Sequence, residues 1–360
     1  MKVKLGDYVL MVQEREVLKK VDTSKYVSTE NILADRNGVK FPANTIPLSK
    51  TITTYKKDDI LISNIRPYFK KIWKAEFDGP KSNDVIAFRT KDSRLLQDYL
   101  YVVLQSDNFF NYVTNTAKGT KMPRGDKKAI INYEFELPNI QLQRKISHTI
   151  LVLEKKIRLN NQINDNLIAI SKAKWLDLLS STSTTEVVMN KIAKITMGQS
   201  PKSSTYNTNN EGLPLLNGAT DFRENINPQR WTSDPKRVVY PNSYIFGVRA
   251  TIGLTTKVYQ KYAIGRGTGA ATPINIIYDE FLYFYLEDLF KFYSQTGSGS
   301  VYINISKKEF ENYKIDVPKI SFIEQFHSEI NPLFNQIKNN KLQNITLLQI
   351  KNDMLNKYFQ

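Results

Sequence analysis

IQLQRKISHTILVLEKKIRLNNQINDNL, residues 140–167, decides how this chain is built. Within it Ile146, Ile150, Leu153, Ile157, Asn160, Asn164 and Leu167 recur at alternating four- and three-residue steps. Side chains at that spacing line one face of a helix, and a 3.5-residue period kept over several turns is the pattern of a coiled coil. The same positions return 180 residues later in ISFIEQFHSEINPLFNQIKNNKLQNITL, residues 320–347, as Phe326, Ile330, Leu333, Ile337, Asn340, Asn344 and Leu347. Each helix should run about 40 residues, or roughly 60 Å. Ser321 with Glu324 has the spacing of a capping box and marks a start for the second helix. Pro332 lies inside it and is expected to kink it.

Two asparagines stand on each stripe where apolar residues are the rule. A buried amide costs stability but satisfies itself only in one alignment, so Asn160, Asn164, Asn340 and Asn344 are candidates for fixing register. The competing reading has the stripe docked on neighbouring globular domains with the asparagines in water. A whole domain separates the helices, so antiparallel pairing is the arrangement that places both copies symmetrically.

Outward from the helices the repeat continues without a gap. At an offset of 180, Gly119, Lys127, Lys128, Asn132, Tyr133 and Pro138 fall on Gly299, Lys307, Lys308, Asn312, Tyr313 and Pro318. Residues 119–178 contain 14 such identities, several times what chance gives. Further upstream Ile65-Arg66 resembles Val248-Arg249, and Leu100-Tyr101 resembles Leu282-Tyr283. Alternating stretches before Pro138 and Pro318 (Tyr133 to Leu137, Tyr313 to Val317) read as strands, as do Ile60 to Ile65 and Tyr244 to Val248. Asp98 to Asn111 and Glu280 to Phe292 read as helices. The expected fold is α+β: two globular domains, residues 1–138 and 181–318, and two long helices, residues 139–180 and 319–360. The helices form an antiparallel coiled coil in a pseudo-twofold internal repeat.

Composition narrows the chemistry. A hydrophobic fraction of 41% with 11% aromatics suits folded domains, not a disordered chain. There is no cysteine and only His148 and His327, which excludes thiolate or His-rich metal sites. No apolar run reaches membrane-spanning length and residues 1–7 lack a signal-peptide core, so the cytoplasm of a bacterium or archaeon is the expected home. The net charge of +16 divides as +7, +4, +3 and +2 over residues 1–139, 140–180, 181–317 and 318–360. An excess spread along the whole chain favours a long anionic partner, and double-stranded DNA is the usual one.

Candidate DNA contacts follow from that. Lys118, Lys121, Arg124, Lys127 and Lys128 crowd a stretch broken by Gly119, Pro123 and Gly125, where mobile backbone and cations suit phosphate contact. The equivalent second stretch offers Ser298, Ser300, Tyr302, Lys307 and Lys308, richer in groups that hydrogen-bond base edges. Arg66, Tyr68, Lys70, Lys71 and Trp73 mix cations with aromatics after a strand. Gln199, Ser200, Asn217, Asp221, Arg249 and Arg266 occupy strand-end or loop sites in the second domain.

The duplicated order of Gly-rich loop, Asn-Tyr, strand, Pro and heptad helix resembles the DNA-specificity subunits of type I restriction–modification systems, over essentially the full chain. Met197-Gly198-Gln199-Ser200-Pro201 with Gly212 to Leu216, and Asp59 to Arg66 in the first domain, resemble openings of target-recognition domains. The resemblance implies a non-catalytic subunit whose two domains each read half of a bipartite target, with the helices as a ruler. Half-sites about one helical turn apart, roughly 34–36 Å, would let both domains read one side of the duplex. It further implies docking of two methyltransferase subunits that bind S-adenosylmethionine and methylate adenine. Restriction subunits using ATP and Mg join in some systems. Two other classes remain in view: a self-contained adenine methyltransferase and an architectural DNA-binding adaptor without sequence preference.

Catalytic readings find little support. Asn331-Pro332-Leu333-Phe334 approaches the loop that holds a flipped adenine but lacks its second Pro and lies on the stripe. Gly265-Arg266-Gly267-Thr268-Gly269-Ala270 fits a lone dinucleotide pattern, opens no helix and reads as a flexible loop near DNA. No phosphate-binding P-loop occurs. Glu154-Lys155-Lys156 reads as a solvated helix face, and neither histidine has a carboxylate at useful spacing.

Overall fold

The computed structural model describes residues 1–46, 49–222, 226–248, 253–296 and 306–359. Two compact units divide the chain: residues 1–160 with 342–360, and residues 161–341. Each unit therefore holds one globular domain and one half of each long helix, Ile140–Ser181 and Ile320–Phe359.

The first domain is organised on a four-stranded antiparallel sheet in the order Val9–Val12, Val85–Thr90, Ile60–Ser63, Ile72–Lys74. Ile60 to Ser63 are all buried, which is why this run carries no polar alternation. A second, three-stranded antiparallel sheet joins Arg15–Val17, Thr51–Tyr55 and Gly79–Lys81. Lys2–Lys4 pairs with Glu134–Glu136, so the domain's first and last strands close it immediately before the long helix. Where sequence periodicity suggests one helix from Asp98 to Asn111, there are two, Gln97–Leu104 and Asp107–Asn115. The break falls at Ser106, whose Oγ accepts from Phe109 N at 3.2 Å. A serine that caps a new helix stops the preceding one.

The second domain repeats this order. Its four-stranded antiparallel sheet runs Ala193–Met197, Thr268–Pro273, Tyr244–Gly247, Gly253–Lys257. Thr184–Val188 pairs with Lys314–Pro318 and closes the domain as its counterpart does. A five-stranded sheet from Tyr206–Asn207 to Val238–Val239 replaces the three-stranded one, and helix Asp279–Thr296 replaces the helix pair.

The long helices are antiparallel in both units. In the first, Asn160 Nδ2 donates to Asn344 Oδ1 at 2.8 Å and Lys351 Nζ meets Glu154 Oε1 at 2.9 Å. In the second, Asn340 Nδ2 donates to Asn164 Oδ1 at 2.9 Å, and Lys174 pairs with Glu329. All four asparagines are buried. The stripe has two roles. Its domain-proximal residues enter the domain cores, Ile146 and Ile150 in the first and Phe326, Ile330 and Ile337, with neighbouring Phe334, in the second. Its central asparagines pair helix with helix, so coiled coil and domain docking coexist on one face.

One detail differs from expectation at the second helix. It begins at Ile320, so Ser321 sits inside the first turn; the capping box belongs instead to Ser306 and Glu309, ahead of Lys307–Glu311. Pro332 lies within this helix and removes a backbone donor from its ladder.

Candidate nucleic-acid interface

In the first domain two loops are joined edge to edge. Ile65 bridges Arg124, Lys118 bridges Arg124, and Arg66 N donates to Pro123 O at 2.8 Å. The turn after strand Ile60–Ser63 is thereby held against the basic stretch around Lys121. Arg66, Lys121, Lys127 and Lys128 are exposed, and among the described residues no side-chain ion pair is seen for them.

Several other expected cations turn inward. Lys70 Nζ binds Asp107 Oδ1 at 2.6 Å, and Arg36 shares the same carboxylate, so Lys70 anchors its loop to helix Asp107–Asn115. Lys71 Nζ donates to Thr29 O at 2.6 Å, and burial lowers its affinity for the proton. Trp73 is buried in an aromatic cluster with Phe41, Tyr55 and Phe77. Lys118 pairs with Asp126 at 2.6 Å and Arg124 with Asp84 at 3.2 Å, but their side chains stay 78% and 55% exposed. Exposed pairs of this kind contribute about 0–1 kcal/mol, so both remain available to phosphate. Positive charge is dense here: burial pushes the Lys81 ammonium down to about 8, and the charge of Lys127 adds to the shift.

In the second domain the topology gathers residues that are far apart in sequence. Gly198 N donates to Thr268 O at 2.9 Å and Gln199 N to Ile264 O at 3.0 Å. Arg266 N donates to Ser200 Oγ at 3.4 Å, Ser200 Oγ approaches Asn217 Oδ1 at 3.4 Å, and Gly267 N donates to Asn217 O at 3.2 Å. Gln199, Ser200, Asn217 and Arg266 thus share one polar edge, with Gln199, Asn217 and Arg266 exposed. Asp221 belongs to the scaffold: its carboxylate accepts from Asn217 N at 2.7 Å and Gly218 N at 3.3 Å. The stretch from Gly265 to Ala270 is no flexible loop. It is a tight turn entering strand Thr268–Pro273, and a Cβ on Gly198 would stand 2.0 Å from Gly265 O.

Lys307 and Lys308 lie exposed on helix Lys307–Glu311, where Lys307 pairs with Glu311 at 3.3 Å. Arg249, Ser298, Ser300 and Tyr302 fall outside the described residues.

His327 does have a carboxylate partner. Its Nδ1 lies 2.6 Å from Glu280 Oε2, while Asn331 Nδ2 donates to Glu280 Oε1 at 2.9 Å. Glu280 is fully buried and burial raises its pKa, so this cluster ties the second long helix to helix Asp279–Thr296. Sequence separation of 47 residues hid the pair. Among the described residues no three His, Asp or Glu side chains are grouped to hold a metal, and no helix is long and apolar enough to cross a membrane.

Comparison with known proteins agrees with the duplicated architecture. The family described as type I restriction modification DNA specificity domain matches twice, over residues 10–168 and 184–347. A putative type I restriction enzyme MjaX specificity subunit from Methanocaldococcus jannaschii is 26% identical over 66% of this chain; the match spans 61% of that relative's own length. The crystal structure of a type I restriction-modification S subunit from M. genitalium covers 100% of this chain and 96% of its own, at 16% identity and a TM-score of 0.63, which shows a shared fold. An HsdS subunit from Thermoanaerobacter tengcongensis also spans 100% of this chain and 96% of its own, at 22% identity and a TM-score of 0.39. With both copies of its repeat matched, this chain belongs to the type I restriction modification DNA specificity domain family.

Proposed function

We propose that the chain is the non-catalytic, sequence-reading subunit of a type I restriction–modification system. Each globular domain reads one half of a bipartite duplex target, and the paired helices set the distance between the halves. Two methyltransferase subunits, carrying S-adenosylmethionine, dock on the chain and methylate adenine. Restriction subunits that use ATP and Mg complete those systems that cut. The observation that carries this reading is the repeated sheet in each domain with an exposed polar or basic loop pair at its strand ends: Arg66 with Lys121 and Arg124 in one, Ser200 with Asn217 and Arg266 in the other. Cations there supply affinity, while amides and hydroxyls can read base edges.

The test is the salt dependence of binding. Replacing Lys121→Ala and Arg124→Ala together should weaken binding and reduce the slope of log affinity against log salt by roughly one to two released ions. An unchanged slope would mean that neither side chain touches phosphate. Equal affinity of the unaltered protein for random and target duplexes would replace sequence reading with an architectural role.

A further inference from the structure

The geometry points to a mechanical role for the turn Pro67–Phe69: we propose that the Tyr68–Phe69 ring pair is a wedge that enters the first half-site and unstacks a base step. The proposal rests on the DNA-reading function above and adds a way in which the first domain selects its sequence, through deformability.

Four observations carry it. First, two neighbouring aromatic side chains are left in water, Tyr68 at 46% and Phe69 at 38% exposure, with centroids 4.7 Å apart and planes inclined by 52°. The other aromatics that follow this strand do not share that fate, for Trp73 is packed into the core. Second, the backbone that presents the rings is strained. Arg66 (φ 50°) and Lys70 (φ 49°) flank the turn in the left-handed region, and Asp35 (φ 54°) and Arg36 (φ 64°) lie beside it. These are four of the eight described non-glycine residues with positive φ, gathered at one place. Strain of this kind persists only where the surroundings over-determine it, and it concentrates where a protein holds a group ready for use.

Third, the surroundings do over-determine it. Phe69 N donates to Arg66 O at 3.0 Å and Lys70 N to Pro67 O at 2.9 Å; Asp35 N and Arg36 N donate to Phe69 O and Lys70 O at 2.9 and 3.0 Å. Arg66 N is fastened to Pro123 O at 2.8 Å, Pro67 is buried, and Lys70 and Arg36 share Asp107. The rings are thus offered on a rigid support and lose little freedom on binding. Fourth, exposed cations stand on the two joined loops. Arg66 precedes the turn, and Lys121 and Arg124 stand on the loop to which it is fastened. An aromatic tip on a loop fastened to exposed cations fits a polyanion with a stacked apolar interior. Proteins that kink duplexes insert apolar side chains between base pairs in this way, and steps that unstack readily are preferred.

The experiment uses the full chain assembled with its methyltransferase subunit. Duplexes carry the target identified by methylation mapping, with 2-aminopurine placed in turn at each position of the first half-site except the methylated adenine. The protein should raise 2-aminopurine fluorescence severalfold at one step. Tyr68→Ala with Phe69→Ala should abolish that rise and lower target affinity about tenfold, while Phe69→Leu retains part of it. Because no charge is removed, the salt slope should stay as it was, and a melting curve of the variant separates lost stability from the lost fluorescence rise. Specific binding with no fluorescence rise at any position, or a rise that survives the double substitution, would overturn the wedge and leave DNA reading intact. Failure of the unaltered complex to prefer its target would overturn the DNA-reading function itself, and the wedge with it.

Discussion

The Gly198→Ala variant should lose recognition of the second half-sequence while keeping the first. A Cβ at this position would lie 2.0 Å from Gly265 O, 2.6 Å from Thr268 O and 2.8 Å from the carbonyl carbon of Gly265. All three are backbone atoms, so no rotamer change can relieve the contact. The strand end Met197 to Pro201 must separate from the turn at Gly265, breaking the bonds from Gly198 N to Thr268 O and from Gln199 N to Ile264 O. Losing both costs about 1–3 kcal/mol of local stability. The functional loss should be larger, because Ser200, Asn217 and Arg266 are positioned by that contact. Good base contacts are worth roughly 1–3 kcal/mol each, so losing two lowers target affinity about a hundredfold. The first domain has its own core and should melt as before. Competition with duplexes altered in one half at a time is the measurement: the variant should become indifferent to changes in the second half alone.

An equally large effect is expected from lengthening the helices. Asn160 faces Asn344 and Asn164 faces Asn340, so the peptide bond after Gln162 lies opposite the one after Lys341. One heptad inserted at each of these points keeps the stripe and both asparagine pairs and adds about 10 Å to each helix. At roughly 3.4 Å per base pair, the preferred spacer should grow by about three base pairs while both half-sequences stay the same. Three base pairs also turn the duplex by more than a quarter of a turn, at about 10 base pairs per turn, so affinity should fall. Three heptads add about 31 Å, or nine base pairs, and should regain much of it. Methylation of substrates with graded spacers reads this directly. An optimum that does not move would mean that the helices dock partners without measuring DNA.

Much of the architecture was legible because its signal is local. The heptad stripe from Ile146 to Leu167 needs only the sequence spacing of one helix, and its return from Phe326 to Leu347 announces the duplication. The strand at Ile60 was legible from its continuous apolar run, as was the one at Tyr244. What stayed hidden depends on sheet order. Gly198 and Gly265 meet because strand Ala193–Met197 pairs with strand Thr268–Pro273, and nothing nearby in sequence states that pairing. The glycines themselves were the available clue, since a close backbone approach needs them. Which cations face outward was hidden for the same reason: Asp107, which holds Lys70, lies 37 residues away. The partner of His327 was equally remote. Ser106 was a local signal passed over, a helix cap inside what periodicity joined into one helix.

A chain that reads two separated half-sequences for a partner that methylates should leave its mark on a genome. The measurement is single-molecule sequencing of adenine methylation in cells carrying the methyltransferase subunit with this chain, without it, or with its Gly198→Ala variant. Methylation should fall at one bipartite motif of fixed spacing, be absent without the chain, and follow a motif relaxed in one half only for the variant. The purified chain alone should methylate nothing. Methylation that persists without the chain, or a motif that is continuous and unaffected by Gly198→Ala, would rule out two-part reading by this chain.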